Sequence, residues 1–324
     1  MPHPEALVTS LLGPDTPAAI AAAVILAAKA EPLFALEAAA ASGEDMEAVH
    51  DMRVASRRLR AAMAIFRPLY PDREWRRFNR MARAITRSLG TVRDADVFVD
   101  EFARLTERAR TTDERVTLAC IIGHRLGERL RDLESMRETL ATLGLAERRD
   151  GFLAFVRRGD AGAYQPLGEL ADAVVRERLT AVYAHLPEAL ESDAGETQHS
   201  MRIAVKRLRY AIETLRPCFT GKADKVLETL KTLQDVLGEL HDRDVFLSSV
   251  REMAESGELA KAGVKGPGLR AVERHLLAER AGFFDTFAAL TAEWDEARMT
   301  RAVLGALRTD AAPDAVEPEA DATP

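Results

Sequence analysis

The chain has 324 residues, a formal net charge of −7, 47% hydrophobic and 30% charged residues, and only 6% aromatic residues. That length holds two ordinary domains or one large domain made of two copies of a smaller unit, and the balance excludes a globally disordered chain. Few aromatics and scarce β-branched runs exclude a mainly sheet architecture and predict an all-α fold, while two cysteines without CxxC or ligand spacing exclude a disulfide framework, so Cys120 and Cys218 read as reduced thiols.

Residues 1–15 form an N-terminal extension. Thr16 as cap and Pro17 at the first helical position predict a helix to about Ala41, ended by Ser42 and Gly43. Its apolar run from Ala18 to Ala28 is too short to span a bilayer, and the residues before it lack a basic n-region, which predicts no membrane partner and a cytoplasmic location. Asp45 caps a second helix that stops before Pro68. A third runs from about Asp72 to Leu89, with Phe78, Ala82, Ile85 and Leu89 at helical spacing, and Asp94 caps a short helix after it. The last helix of the unit spans about Thr112 to Leu143, closing a first bundle over residues 16–143. Residues 144–165, with Gly151, Gly159 and Gly162, read as a linker with room for one short helix. The pattern restarts at Pro166 and runs to residue 308, and the tail 309–324, with five acids and no basic residue, is predicted to be disordered.

An internal repeat organises all of this. At a constant offset of 149, HDMRVASRRLRAAMAIFRPLY (from His50) lies over HSMRIAVKRLRYAIETLRPCF (from His199), and Pro17, Lys29 and Phe34 lie over Pro166, Arg178 and Tyr183. One residue later is lost, so LGTVRDADVF (from Leu89) lies over LGELHDRDVF (from Leu237) at offset 148.

Charge follows the repeat. Between His50 and Arg93 twelve basic residues face three acids, and between His199 and Lys231 eight face three, so the acidic average hides two strongly basic segments. At about 100° per residue, His50, Arg53, Arg57, Arg60 and Arg67 share one helix face, opposite Met52, Leu59, Met63 and Phe66. The second copy repeats this with His199, Arg202, Lys206, Arg209 and Arg216, while Arg58 and Arg207 flank the stripes. Like charges three and four residues apart repel, so a stripe almost free of acids, present twice, points to an anion. Arginine forks phosphate oxygens bidentately, and lysine acts as a point charge. From the third helix the basic pairs Arg77 with Lys225 and Arg83 with Lys231 recur, and Arg93 is matched by His241. His50 and His199 read either as phosphate donors or as groups that orient the arginines. The repeated Asp94-x-Asp96 and Asp242-x-Asp244 read as caps and salt-bridge partners in preference to a magnesium site.

These two pairs of signatures resemble the CHAD domain, the conserved histidine α-helical domain, over about Thr16 to Arg308. The resemblance implies two pseudo-two-fold-related helical bundles of about four main helices each, whose basic residues line a shared groove or cavity. It also implies inorganic polyphosphate as the ligand and, in some members, association with polyphosphate granules. Carried over by motif, the site comprises His50, Arg53, Arg57, Arg58, Arg60, His199, Arg202, Lys206, Arg207 and Arg209, supported by Arg83, Arg93, Lys231 and His241. Many similar CHAD domains are fused to a triphosphate tunnel metalloenzyme domain marked by ExExK; this sequence has no ExExK, which implies a stand-alone binding module without catalysis, metal or cofactor. The alternatives are nucleic-acid binding, disfavoured by few aromatics among the basic residues, a phosphate-ester enzyme, disfavoured by the lack of a Walker loop or HExxH, and a scaffold for an acidic protein tail.

Overall fold

The computed structural model describes residues 11–43, 45–159 and 165–308, so most of the N-terminal extension and the acidic tail lie outside the described residues. The described residues form helices without named strands. The first half contains α1 (Ala18–Ala35), α2 (Glu37–Ser42), α3 (Met46–Phe66), α4 (Asp72–Arg108), α5 (Thr112–Leu143) and α6 (Leu145–Val156). The second contains α7 (Leu167–Ala189), α8 (Gly195–Thr214), α9 (Ala223–Glu255), α10 (Glu258–Lys261), α11 (Gly266–Glu293) and α12 (Glu296–Leu304). In each half the long helices pack in chain order: α1 on α3, α3 on α4 and α4 on α5, then α7 on α8, α8 on α9 and α9 on α11.

Three expectations change. The first helix breaks at Leu36, shortly after Pro32, which lies inside it and supplies no N–H to the Ala28 carbonyl. With α2 the run Ala18–Ser42 reaches 25 residues and holds an 18-residue window of mean hydropathy 1.8, enough by length and composition to cross a membrane and longer than its sequence suggested. Its Ile25, Leu26 and Leu33 are wholly buried in the main core, while 33% of that apolar window is buried in all.

Second, the third helix does not stop at Leu89. α4 continues unbroken to Arg108, with Gly90 inside it and Asp94 mid-helix, and α9 does the same through Asp242. A glycine in a helix interior costs about 1 kcal/mol, and burying Val92, Ala95, Phe98 and Phe102 on the continued face of α4 outweighs that. Neither aspartate is a cap.

Third, the segment read as a linker holds α6, whose Phe152 and Phe155 are buried against Phe78 at centroid distances of 5.3 and 4.8 Å. α6 is therefore part of the first half's core. Cys218 is buried and Cys120 half-buried, both free, and burial pushes the Cys218 thiol up to about 12.

The halves meet through equivalent residues. Pro17 pairs with Pro166, its own counterpart, as Ala18 N–H donates to Gln165 O and Leu167 N–H donates to Thr16 O, both at 2.9 Å. Phe98 meets its counterpart Phe246 edge to face at 5.1 Å in a second core cluster formed by α4, α5, α9 and α11. Reciprocal contacts of this kind are what a local two-fold relation produces.

Asp45 caps α3 as its sequence position suggested, accepting from Glu47 N–H at 2.9 Å and Ala48 N–H at 3.2 Å. Asp45→Ala is expected to lower stability by about 1 kcal/mol, measured as a shifted denaturant midpoint with an unchanged slope. An unshifted midpoint would show that the cap contributes nothing.

Candidate functional site

The apolar faces of α3 and α8 are buried through Met52, Leu59 and Met63, and through Met201, Ala204 and Leu208. The two helices pack against each other, and their opposite faces bring the stripes to one cavity of about 710 Å³. Arg53, Arg57, Arg60 and Arg67 line it from α3 and the turn after it, and Arg202, Lys206 and Arg207 line it from α8. Arg83 of α4 and Arg178 of α7 complete a wall of eight arginines and one lysine with no carboxylate among the lining residues.

The Asp-x-Asp pairs organise this wall. Asp94 accepts from Arg53 Nη2 at 2.8 Å, and Asp242 is the largest acidic influence on Arg202. The second aspartates turn to the fourth long helix of each half: Arg129 Nε donates to Asp96 and Arg280 Nε to Asp244, both at 2.5 Å. In the first half one acid thus holds a stripe arginine, and in both halves the second acid fastens α4 to α5 or α9 to α11. The Nε of Arg53 lies 3.9 Å from where a β-carbon on Gly90 would sit, and that of Arg202 lies 3.7 Å from the same point on Gly238. In both copies the stripe arginine therefore passes over this glycine at ordinary van der Waals distance.

Anion demand shows in the polar groups. The Nε atoms of Arg53, Arg60 and Arg178 are buried with no hydrogen-bond partner in the protein. An unsatisfied buried donor costs roughly 1–3 kcal/mol, and all three residues open onto the cavity. Burial is the first cause that lowers the pKa of Arg53, Arg60 and Arg202, with neighbouring arginines adding to it. Lys206 is brought down to about 7, first by burial and then by Arg57, Arg202, Arg53 and Arg207. Its ammonium is half lost near neutral pH unless an anion restores it.

The histidines do not behave as a symmetric pair. His199 and His241 lie against each other with centroids 4.0 Å apart and planes tilted by 36°. Burial, then Arg202 and Lys206, lowers His199, and burial, then His199 and Arg202, takes His241 down to about 4, so both are neutral at pH 7. Neither lines the cavity, and His50 is exposed near the start of α3.

Several sequence-predicted residues are directed elsewhere. Arg209 Nη1 donates to Glu213 at 2.5 Å and its Nε to Gln234 at 3.1 Å, and Arg58 lies 4.0 Å from the same glutamate. Arg216 is held by Asp224 and the Thr220 carbonyl at 2.8 and 2.7 Å. Arg67 also pairs with Asp72 while remaining at the cavity rim. Arg77 is exposed with its guanidinium 5.5 Å from the Phe78 ring centre. Arg93 lines a separate cavity of about 120 Å³ with Arg104, Glu101 and Arg243. Lys225 lines another beside Glu228 and Trp294, and Lys231 is exposed outside the main cavity. Conversely, Arg178, Trp75, Asn79, Thr86 and Tyr210 line the cavity without having been singled out as ligands. Arg178 had a signal, since it lies over the basic Lys29 in the repeat.

The fold and site define an all-helical protein with a cationic cavity between its two repeated halves. Residues 24–251 match the family model described as the CHAD domain. The chain belongs to the CHAD domain family. Its structure is similar to the crystal structure of the CHAD domain from the plant Ricinus communis, with a TM-score of 0.70 and 22% identity over 86% of this chain and 93% of that one. It is also similar to PptA from Streptomyces chartreusis, with a TM-score of 0.61 and 17% identity over 84% of this chain and 98% of that one. Identities this low speak to the fold alone. No curated protein matches the chain.

Proposed function

We propose that the protein binds inorganic polyphosphate in the cavity between α3 and α8 and does not turn it over. The observation that carries this reading is a cavity with eight arginines and one lysine on its walls, no carboxylate, and three buried guanidinium N–H groups awaiting acceptors. A chain of phosphates supplies such acceptors in series, each able to take a forked arginine. No lining carboxylate is in place to take a proton or hold a divalent cation, so the reading is binding without catalysis. Nucleic acid fits less well because bases need open aromatic faces. Here Trp75 is buried against Tyr70 at 5.7 Å, and Tyr210 is buried with Arg209 4.8 Å from its ring centre. The reading carries with it a cytoplasmic location and association with polyphosphate granules where these form.

Titration of the full chain with long-chain polyphosphate tests it. Saturable binding is expected, with a log-log salt slope of roughly −5 to −6 for about eight phosphate contacts. Because a bound anion raises Lys206 above its free value near 7, binding takes up a proton. Affinity should therefore fall as pH rises above 7, and Lys206→Met should flatten that dependence. Binding that is absent, or insensitive to salt, overturns the proposal, as does RNA displacing polyphosphate at equal phosphate concentration.

A further inference from the structure

Lys206 is the one lysine among the cavity's lining residues. Its counterpart in the first half is Arg57, so the repeat places a guanidinium on one wall and a primary amine on the other. A guanidinium stays protonated and is no nucleophile, whereas an amine becomes one when it loses its proton. Around Lys206 stand Arg53 and Arg57 from α3 and Arg202 and Arg207 from its own helix, with His241 of α9 also within electrostatic reach. No carboxylate pairs with it among the described residues. A half-buried amine that shares a cavity wall with several arginines is the arrangement that activates nucleophilic lysines.

We propose that Lys206 is a site of acylation by acyl phosphates, whose phosphoryl group the surrounding arginines hold while the amine attacks the carbonyl carbon. The proposal rests on the cavity being a phosphate site. In the step, a bond forms between Nζ and the acyl carbon and the bond from that carbon to the phosphate oxygen breaks. Orthophosphate leaves with the electron pair, and the amine proton passes to solvent. Arginines that bind the phosphoryl oxygens also stabilise the charge gathering on this leaving group. The product is a neutral amide, so the reaction removes a positive charge from the wall and weakens the cavity's hold on polyanions. Acyl phosphates would then set how much polyphosphate the protein carries.

The test incubates the full chain with acetyl phosphate at neutral pH and measures acetylation by peptide mass spectrometry. Exposed Lys222 and Lys261 serve as internal references. Lys206 is expected to react at least about tenfold faster than either, because a far larger fraction of it is neutral amine. Its preference should shrink with an acetylating reagent that lacks phosphate, and long-chain polyphosphate should suppress it. Lys206→Arg should abolish the modification at that position while Lys222 and Lys261 react as before. If the protein binds polyphosphate while Lys206 reacts no faster than the references, the acylation proposal is overturned and the binding reading stands. If Lys206 reacts fast in a protein that does not bind polyphosphate, the acylation site stands and the polyphosphate reading falls.

Discussion

Replacing both Arg57 and Arg202 by alanine should weaken binding of long-chain polyphosphate by at least about 100-fold, while either single change should cost about tenfold. The two side chains come from facing helices and line the same cavity. A hydrogen bond to a charged group contributes about 1.5–3 kcal/mol, and each 1.4 kcal/mol is about a factor of ten. The sites are close enough to couple, so the double variant need not equal the sum of the singles. Each lost contact should also make the salt slope shallower by about 0.7. Arg216→Ala is the control, since that arginine is held by Asp224 and the Thr220 carbonyl and does not line the cavity. Folding should survive in the two single variants and the double, because removing crowded cations from the cavity wall relieves repulsion. A double variant that binds as tightly as the parent chain would remove α3 and α8 from the site.

The repeat made the central part of this architecture readable before any coordinates. Seven of the stripe and flanking residues assigned from the aligned signatures, Arg53, Arg57, Arg60, Arg67, Arg202, Lys206 and Arg207, line one cavity. Helical periodicity is enough for that, because it places residues on a face and the apolar face opposite must be buried. What periodicity does not contain is the identity of the neighbour that covers a face. Leu89 and Gly90 looked like the end of a helix because glycine is a poor helix former, yet packing of Phe98 and Phe102 carries α4 onward. Neither Asp94 nor Asp242 caps a helix, but Asp96 and Asp244 meet arginines as the sequence suggests. Their partners Arg129 and Arg280 lie on later helices that no local pattern connects to them. Arg178 shows the same gap: its basic character was matched to Lys29, but only tertiary packing brings α7 to the cavity.

The asymmetry between the halves also had a sequence signal, and it gives the second large expected effect. At offset 149, Glu213 stands where the first half has Ala64. Ala64 lines the cavity beside an Arg60 whose Nε has no protein partner. Glu213 instead takes Arg209, the counterpart of Arg60, and lies 4.0 Å from Arg58 across the junction of the halves. One carboxylate therefore internally compensates in the second half the cations that stay available in the first. Ala64→Glu should transplant that compensation into the cavity and lower polyphosphate affinity by about 100-fold, since it both occupies an arginine fork and adds a charge that repels the ligand. Glu213→Ala should act in the opposite sense, freeing Arg209 and Arg58 and tightening long-chain binding by about tenfold, equivalent to about 1.4 kcal/mol. The latter change removes an ion pair four residues apart on one helix, but Arg209 keeps its bond to Gln234, so the protein should remain folded. Isothermal titration of both variants at one fixed salt concentration decides the matter. If Ala64→Glu leaves affinity unchanged, the ligand does not enter beside Arg60; if Glu213→Ala weakens binding, that glutamate supports the site instead of closing its counterpart.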